Sequence, residues 1–206
     1  MDLIKSTIAL LAFMAVSNAA IAGGFEGMSL GEEMATRDCA WCHGQLGQGF
    51  ATAPRLAGQT RLYIENQLVS FRAHTRDNPN SQQFMWGAAA LLDARDAAEL
   101  AAYFSSIAPE PANDGDAASA EIGRALFKDG NPSGNIPSCI ACHGPNAEGV
   151  REMPRLGGLS YRYLKRKLAQ WGKGYHLAAM QPMPEIAKHL EPKEIEALAS
   201  FLSFVK

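Results

Sequence analysis

The sequence predicts an all-α protein made of two tandem copies of one domain. Three observations carry that reading. A short cysteine motif, Cys39-Ala40-Trp41-Cys42-His43-Gly44, recurs 100 residues later as Cys139-Ile140-Ala141-Cys142-His143-Gly144. Apolar residues fall at helical spacing in the same places of both copies. No stretch alternates apolar and polar residues as a half-buried strand would.

The chain has 206 residues and is 47% apolar, enough to bury a core or two and too much for a disordered chain. Its 19 Lys and Arg against 21 Asp and Glu leave a formal charge of −2, so there is no basic field to draw in nucleic acid. Lys5 precedes the apolar run from Ile8 to Val16, and small residues follow it. This is the pattern of a secretory signal over residues 1–22. Ala20-Ile21-Ala22 fits the small-x-small cleavage rule, placing the mature start near Gly23, with Ala19 as the other candidate end. The run is shorter than the roughly 20 apolar residues of a membrane span. A signal of this kind implies a periplasm or its equivalent. Loss of Asp2 and Lys5 with it leaves the net charge unchanged.

The repeat continues beyond the cysteines. Pro54-Arg55-Leu56-Ala57-Gly58 returns as Pro154-Arg155-Leu156-Gly157-Gly158, and Tyr63 and Leu68 return as Tyr163 and Leu168. After a two-residue slip Met85 maps onto Met183, Ala89 onto Ala187, Leu92 onto Leu190, and Leu100-Ala101 onto Leu198-Ala199. Upstream, Gly31 matches Gly123, because the second copy inserts eight residues around 129–134. The expected division is a first domain over 23–108, a linker over 109–116 and a second domain over 117–206. The linker contains Pro109, Pro111 and three acids, a composition that cannot continue a helix. A domain this short has a marginal apolar core, which a bound cofactor would supplement.

Each copy reads as three main helices. Ser29 and Glu32 resemble a capping box opening the first, and Ser119 to Phe127 is its counterpart. Thr60 to Phe71 places Tyr63, Ile64, Gln67, Leu68 and Phe71 at helical spacing. Ser160 to Trp171 does the same with Tyr163, Leu164, Lys167, Leu168 and Trp171. Asp93 caps the last helix of copy one, reaching Ser106. Glu191 with Pro192 opens the one ending near Val205. Gly31 and Gly123 are expected to let first and last helices approach closely, with Tyr103 and Phe201 packed nearby.

Two thiols on one helical turn followed directly by an imidazole suit covalent attachment of haem, with the histidine taking the iron. Cys39, Cys42, Cys139 and Cys142 are thus candidate haem-attachment residues, and His43 and His143 candidate iron ligands, for two covalent haem c groups. Zinc would use all four thiols or additional histidines. A redox pair would sit in an α/β setting, and disulfides leave the recurring histidine without a role. For the other axial position the candidates are Met85 and Met183, 42 and 40 residues beyond their histidines. An ordinary core methionine is the competing reading. Met180, Met28, Met34 and Met153 have no repeat partner. Bis-histidine ligation is the chemical alternative, but His74, His176 and His189 are not at equivalent positions and read as exposed. A thioether favours ferrous iron and raises the potential, whereas a second imidazole lowers it. The carbonyls of Pro54 and Pro154, 11 residues past each histidine, are placed to accept the ring N–H. Arg55, Arg155, Tyr63 and Tyr163 are candidates for the haem propionates.

These residues resemble class I c-type cytochromes, and specifically the dihaem cytochrome c4 family, over nearly all of the chain after the leader. The resemblance rests on the two Cys-x-x-Cys-His-Gly motifs, the Pro-Arg-Leu-x-Gly segments and the phrase Met183-Pro184-Glu185-Ile186-Ala187-Lys188-His189-Leu190. Copy one departs from that phrase, reading Met85-Trp86-Gly87-Ala88-Ala89-Ala90-Leu91-Leu92, and has Ala35 where Phe127 supplies a packing aromatic. The resemblance implies two class I cytochrome c domains related by pseudo-twofold symmetry, in a periplasmic electron carrier that transforms no substrate. It implies redox protein partners: a terminal oxidase, a quinol–cytochrome c reductase or a dehydrogenase, often with loose membrane association. The alternative is the haem subunit of a dehydrogenase, as in flavocytochrome c sulfide dehydrogenase. A dihaem peroxidase is a third reading, for which the chain is short and lacks an evident vacant catalytic site.

Overall fold

The computed structural model describes residues 27–50, 52–175 and 182–206. The expected signal segment, its cleavage site, Met180 and His176 lie outside them. The described residues form helices joined by loops, with two isolated bridges, Asn131 to Ile136 and Val150 to Met153, in place of strands. The fold class is all-α, as the sequence predicts.

In the first half α1 spans Leu30–Met34 and continues through a π turn, Ala35–Cys39, into α2, Ala40–His43. α3 spans Arg61–Arg72, a second π turn covers Ser81–Met85, α4 is Trp86–Ala89 and α5 is Ala94–Ser106. The second half repeats the plan with α6 at Ala117–Asp129, α7 at Ile140–His143, α8 at Tyr161–Gly172, α9 at Met183–Ala187 and α10 at Pro192–Phe204.

Local chemistry sets the ends. Asp93 accepts from the Asp96 N–H while the Asp96 carboxylate accepts from the Asp93 N–H, and Glu191 and Glu194 make the same reciprocal pair under Pro192. Ser29 accepts from the Glu32 N–H, giving a single cap bond rather than the expected full box. α6 begins two residues earlier than its expected first residue, because Asp116 rather than Ser119 is the cap and accepts from Ser119.

The two glycines behave as expected. A Cβ on Gly31 would lie 2.1 Å from the Glu99 carbonyl oxygen, and one on Gly123 would lie 2.0 Å from that of Ala197. Only the bare glycine backbone lets α1 meet α5, and α6 meet α10, at this separation. The two cores are unequal. The first contains Met34, Ala35, Ile64, Leu100, Ala101 and Phe104. The second is larger and includes Phe127, Ile136, Tyr163, Leu164, Leu168, Trp171 and Leu198. Phe127 fills the space that Ala35 leaves unfilled, its ring 5.6 Å from that of Phe201. The eight-residue insertion adds to this core. Asn131 and Ile136 exchange backbone hydrogen bonds of 2.7 and 3.0 Å, and the short loop drives Ile136 into the interior at 2% exposure.

The proline-rich connection is strapped to both halves. Pro109 packs on Gly58, the Ala112 N–H donates to the Gly158 carbonyl and the Asn113 N–H to that of Ser203. Two further bonds join the halves directly, inside the protein: the Gln59 side-chain amide donates to the Arg155 carbonyl at 3.0 Å, and the Arg155 N–H donates back at 2.7 Å.

Candidate cofactor site

In both halves the cysteine motif forms a single helical turn that ends at a glycine with positive φ, +81° at Gly44 and at Gly144. The turn leaves the first cysteine half-buried, the second exposed and the histidine buried. The chain then curls back. The Gly49 N–H donates to the His43 carbonyl at 2.6 Å, the Gly149 N–H donates to that of His143 at 2.8 Å, and the proline loop is carried beneath the ring. The Pro54 carbonyl lies 2.9 Å from His43 Nδ1, and the Pro154 carbonyl 2.9 Å from His143 Nδ1.

A carbonyl only accepts, so each contact requires Nδ1 to carry the proton and leaves Nε2 with a free lone pair. His143 Nε2 is buried and without a hydrogen-bond partner among the described residues. Burial holds both imidazoles below their ordinary pKa, with the proline bond opposing, so the neutral, ligating form prevails. Burial also pushes the Cys39 and Cys139 thiols up to about 11.

His43, Met85, His143 and Met183 line one continuous cavity of about 1310 Å³ that runs through both halves. It exceeds the roughly 300–1,000 Å³ of a single small-molecule pocket. A buried acceptor nitrogen without a partner, paired thiols at its mouth and a thioether in the same lining are the donor set for iron in haem c, and the residues fit two such groups.

Met85 closes the π turn Ser81–Met85, and π turns recur at functional sites. The turn is held from behind: Asn78 Nδ2 donates to Ser81 Oγ at 2.6 Å, and Trp86 Nε1 donates to the Arg76 carbonyl at 3.0 Å. Met183 opens α9 between Pro182 and the buried Pro184. Neither His74 nor His189 lines the cavity, and both are exposed; the His74 ring stacks on Trp86 at 4.0 Å.

The expected propionate set is only partly assembled. Tyr63, Tyr163 and Arg55 line the cavity, but Arg155 does not, since its Nε donates to the Gly157 carbonyl and its backbone is tied to Gln59. Arg55 Nε is engaged by the Glu110 carbonyl of the linker. The buried cationic side chains of the cavity lining are instead Arg76 and Lys167, which have no motif around them. Arg76 is buried, donating to Gln67 Oε1 at 2.6 Å and to the Tyr163 hydroxyl at 3.2 Å, with its guanidinium 4.7 Å from the Phe71 ring centre. Burial works against its charge, and the phenols of Tyr63 and Tyr163 more than offset that. Lys167 is buried with its Nζ 5.1 Å from the Trp171 ring centre. Burial, reinforced by Arg76 and Arg166 and opposed by Asp77, pushes it down to about 5. The one signal in the sequence was a lysine on the otherwise apolar face of α8.

Residues 28–108 and 120–206 each match the cytochrome c family profile. The chain is 37% identical over 180 residues to a thiosulfate dehydrogenase electron acceptor of Stutzerimonas stutzeri, covering 85% of this chain and 82% of the relative. It is 30% identical over 208 residues to cytochrome c4 of Azotobacter vinelandii, covering 96% and 97%. The solved structure of Acidithiobacillus ferrooxidans cytochrome c4 superposes with a TM-score of 0.76 at 34% identity, covering 81% of this chain and 98% of that one.

Proposed function

The chain belongs to the dihaem cytochrome c4 family and is a dihaem electron-transfer protein; from that premise we propose that it is a periplasmic carrier passing electrons to a terminal oxidase or similar respiratory partner. The haems supply reversible one-electron chemistry at iron, and the polypeptide supplies attachment, axial ligands and surroundings. We assign attachment to Cys39 and Cys42 in the first half and to Cys139 and Cys142 in the second. The axial pairs are His43 with Met85, and His143 with Met183. One observation carries the histidines: in each half a buried imidazole with its Nδ1–H tied to a proline carbonyl lines the cavity; of the methionines that line it, Met34, Met85, Met153 and Met183, only Met85 and Met183 are repeat equivalents. Iron held by both residues of a pair would have no face open to a substrate, which suits transfer of electrons alone. Among the described residues no helix is long and apolar enough to cross a membrane. Along the first-half lining of the cavity Trp41, Phe50, Phe84 and Leu91 are exposed, the surface composition on which protein partners dock.

Optical redox titration of the purified holoprotein tests the assignment. It should resolve two covalently bound, low-spin haems with thioether ligation and no carbon monoxide adduct on most of the reduced iron at neutral pH. A rapid, near-stoichiometric adduct would refute it. The second reading, an electron-accepting partner of a dehydrogenase, is supported by the relative named as a thiosulfate dehydrogenase electron acceptor. Stoichiometric co-purification with a dehydrogenase from the native source would favour it over a freely diffusing shuttle.

A further inference from the structure

A positive charge buried without an anion is among the costliest arrangements in a protein interior, and it persists where something outside the polypeptide compensates it. The seam between the halves holds two buried basic side chains, and the acid that acts on Lys167, Asp77, does not offset its burial. Lys167 Nζ and Arg76 Nε are each buried and without a hydrogen-bond partner among the described residues, and both side chains line the cavity. They come from opposite halves and are linked through Tyr163, which accepts from Arg76. The arrangement is not repeated by symmetry. The position equivalent to Lys167 in copy one is Gln67, which is uncharged and already accepts from Arg76. The local charged groups are Arg76, Arg166 and Asp77, and Arg166 is occupied by the Thr52 carbonyl at 2.7 Å.

We infer that Lys167, together with Arg76, is a carboxylate-receiving site at the seam, built to neutralise the propionates that haem brings into this cavity. The inference rests on the haem reading above and concerns which residues of this chain compensate those carboxylates. Lys167 is a positioning and charge-setting residue, not an iron ligand. Apart from an anion its burial drives it toward the neutral amine; a carboxylate beside Nζ restores the ammonium. A cation close to haem carboxylates disfavours the extra positive charge of ferric iron, so it favours the ferrous state. The asymmetry between Lys167 and Gln67 then makes the two haems electrostatically unequal.

The test is spectroelectrochemical titration of the holoprotein carrying K167M, K167Q and K167R, with haem counted per chain. K167M and K167Q should keep two covalent haems and lower the ferrous-to-ferric ratio of at least one haem roughly tenfold at fixed potential, about 59 mV for a one-electron couple. K167R, which keeps the charge, should restore the ratio. Unchanged potentials in both neutral variants would overturn the inference, and so would failure of K167R to restore them. Should K167M not fold, K167Q carries the side chain already present in copy one and gives the same reading. Failure of the underlying haem reading is distinguishable, because it would appear in the unmodified protein as fewer than two haems or nitrogen on both axial faces.

Discussion

His43 and His143 each divide two tasks between two ring nitrogens. Nδ1 is fixed by a proline carbonyl 2.9 Å away, which selects the tautomer and orients the ring, and Nε2 keeps the free lone pair on which the proposed iron ligation relies. On the proposed assignment Met85 and Met183 would each serve one haem, so their effects are separable. Met85→His should lower the potential of the first haem by on the order of 100 mV, within the roughly 0.8 V range that axial ligation commands, while the second barely moves. Potentiometric titration of the two haems checks this; equal shifts in both would show that Met85 does not serve the first haem alone. The histidine and methionine candidates were legible in the sequence because the repeat placed each twice. Arg76 was not, and Lys167 showed only as a lysine on an apolar helix face, because each occurs in one copy only and a single basic residue acquires a role when its neighbours are assembled around it.

Among the elements, helix crossing depends on two positions with no side chain. Gly123→Ala would place a methyl group within 2.0 Å of the Ala197 backbone carbonyl, which cannot step aside, so α6 and α10 must separate. The expected cost is about 1–3 kcal/mol, read as a lowered thermal midpoint. The start of α6 carries a pH dependence of defined sign. The Ser119 hydroxyl and backbone N–H hold the Asp116 carboxyl below its ordinary value, so the folded state binds its proton less readily than the unfolded chain. Its contribution is present at neutral pH and is lost as the pH falls through the carboxylate range. Asp116→Asn should remove that acid-dependent component, which urea titrations at stepped pH would detect. The element order was readable from spacing and caps, since apolar period and cap residues act locally. The π turns at Ala35–Cys39 and Ser81–Met85 were not, because a helix gains a residue in one turn when its packing and hydrogen-bonded surroundings favour it, and periodicity does not report this.

For the whole molecule, the halves repeat each other while the seam joining them is asymmetric. Gln59 bonds the backbone of Arg155 in both directions, whereas its counterpart Leu159 has no polar group to return the contact to Arg55. Gln59→Leu should leave the Arg155 N–H and carbonyl unpaired inside the protein, a loss of about 1–3 kcal/mol for each group. Differential scanning calorimetry should then show the two halves melting less cooperatively; an unchanged single transition would show that the linker alone couples them. The first core is the smaller, with Ala35 at the position equivalent to the second half's Phe127.

By itself the sequence determined the duplication, the helical class, the cofactor chemistry and the equivalent iron-ligand candidates, since all of these depend on spacing along the chain and are written twice. Tertiary structure alone decided which arginine turns away from the cavity and which cations meet at the seam. Those outcomes depend on groups 80 to 100 residues apart coming within hydrogen-bond distance, as Arg76 does with Tyr163 and Gln59 with Arg155. Only the packing of one half on the other creates such proximity.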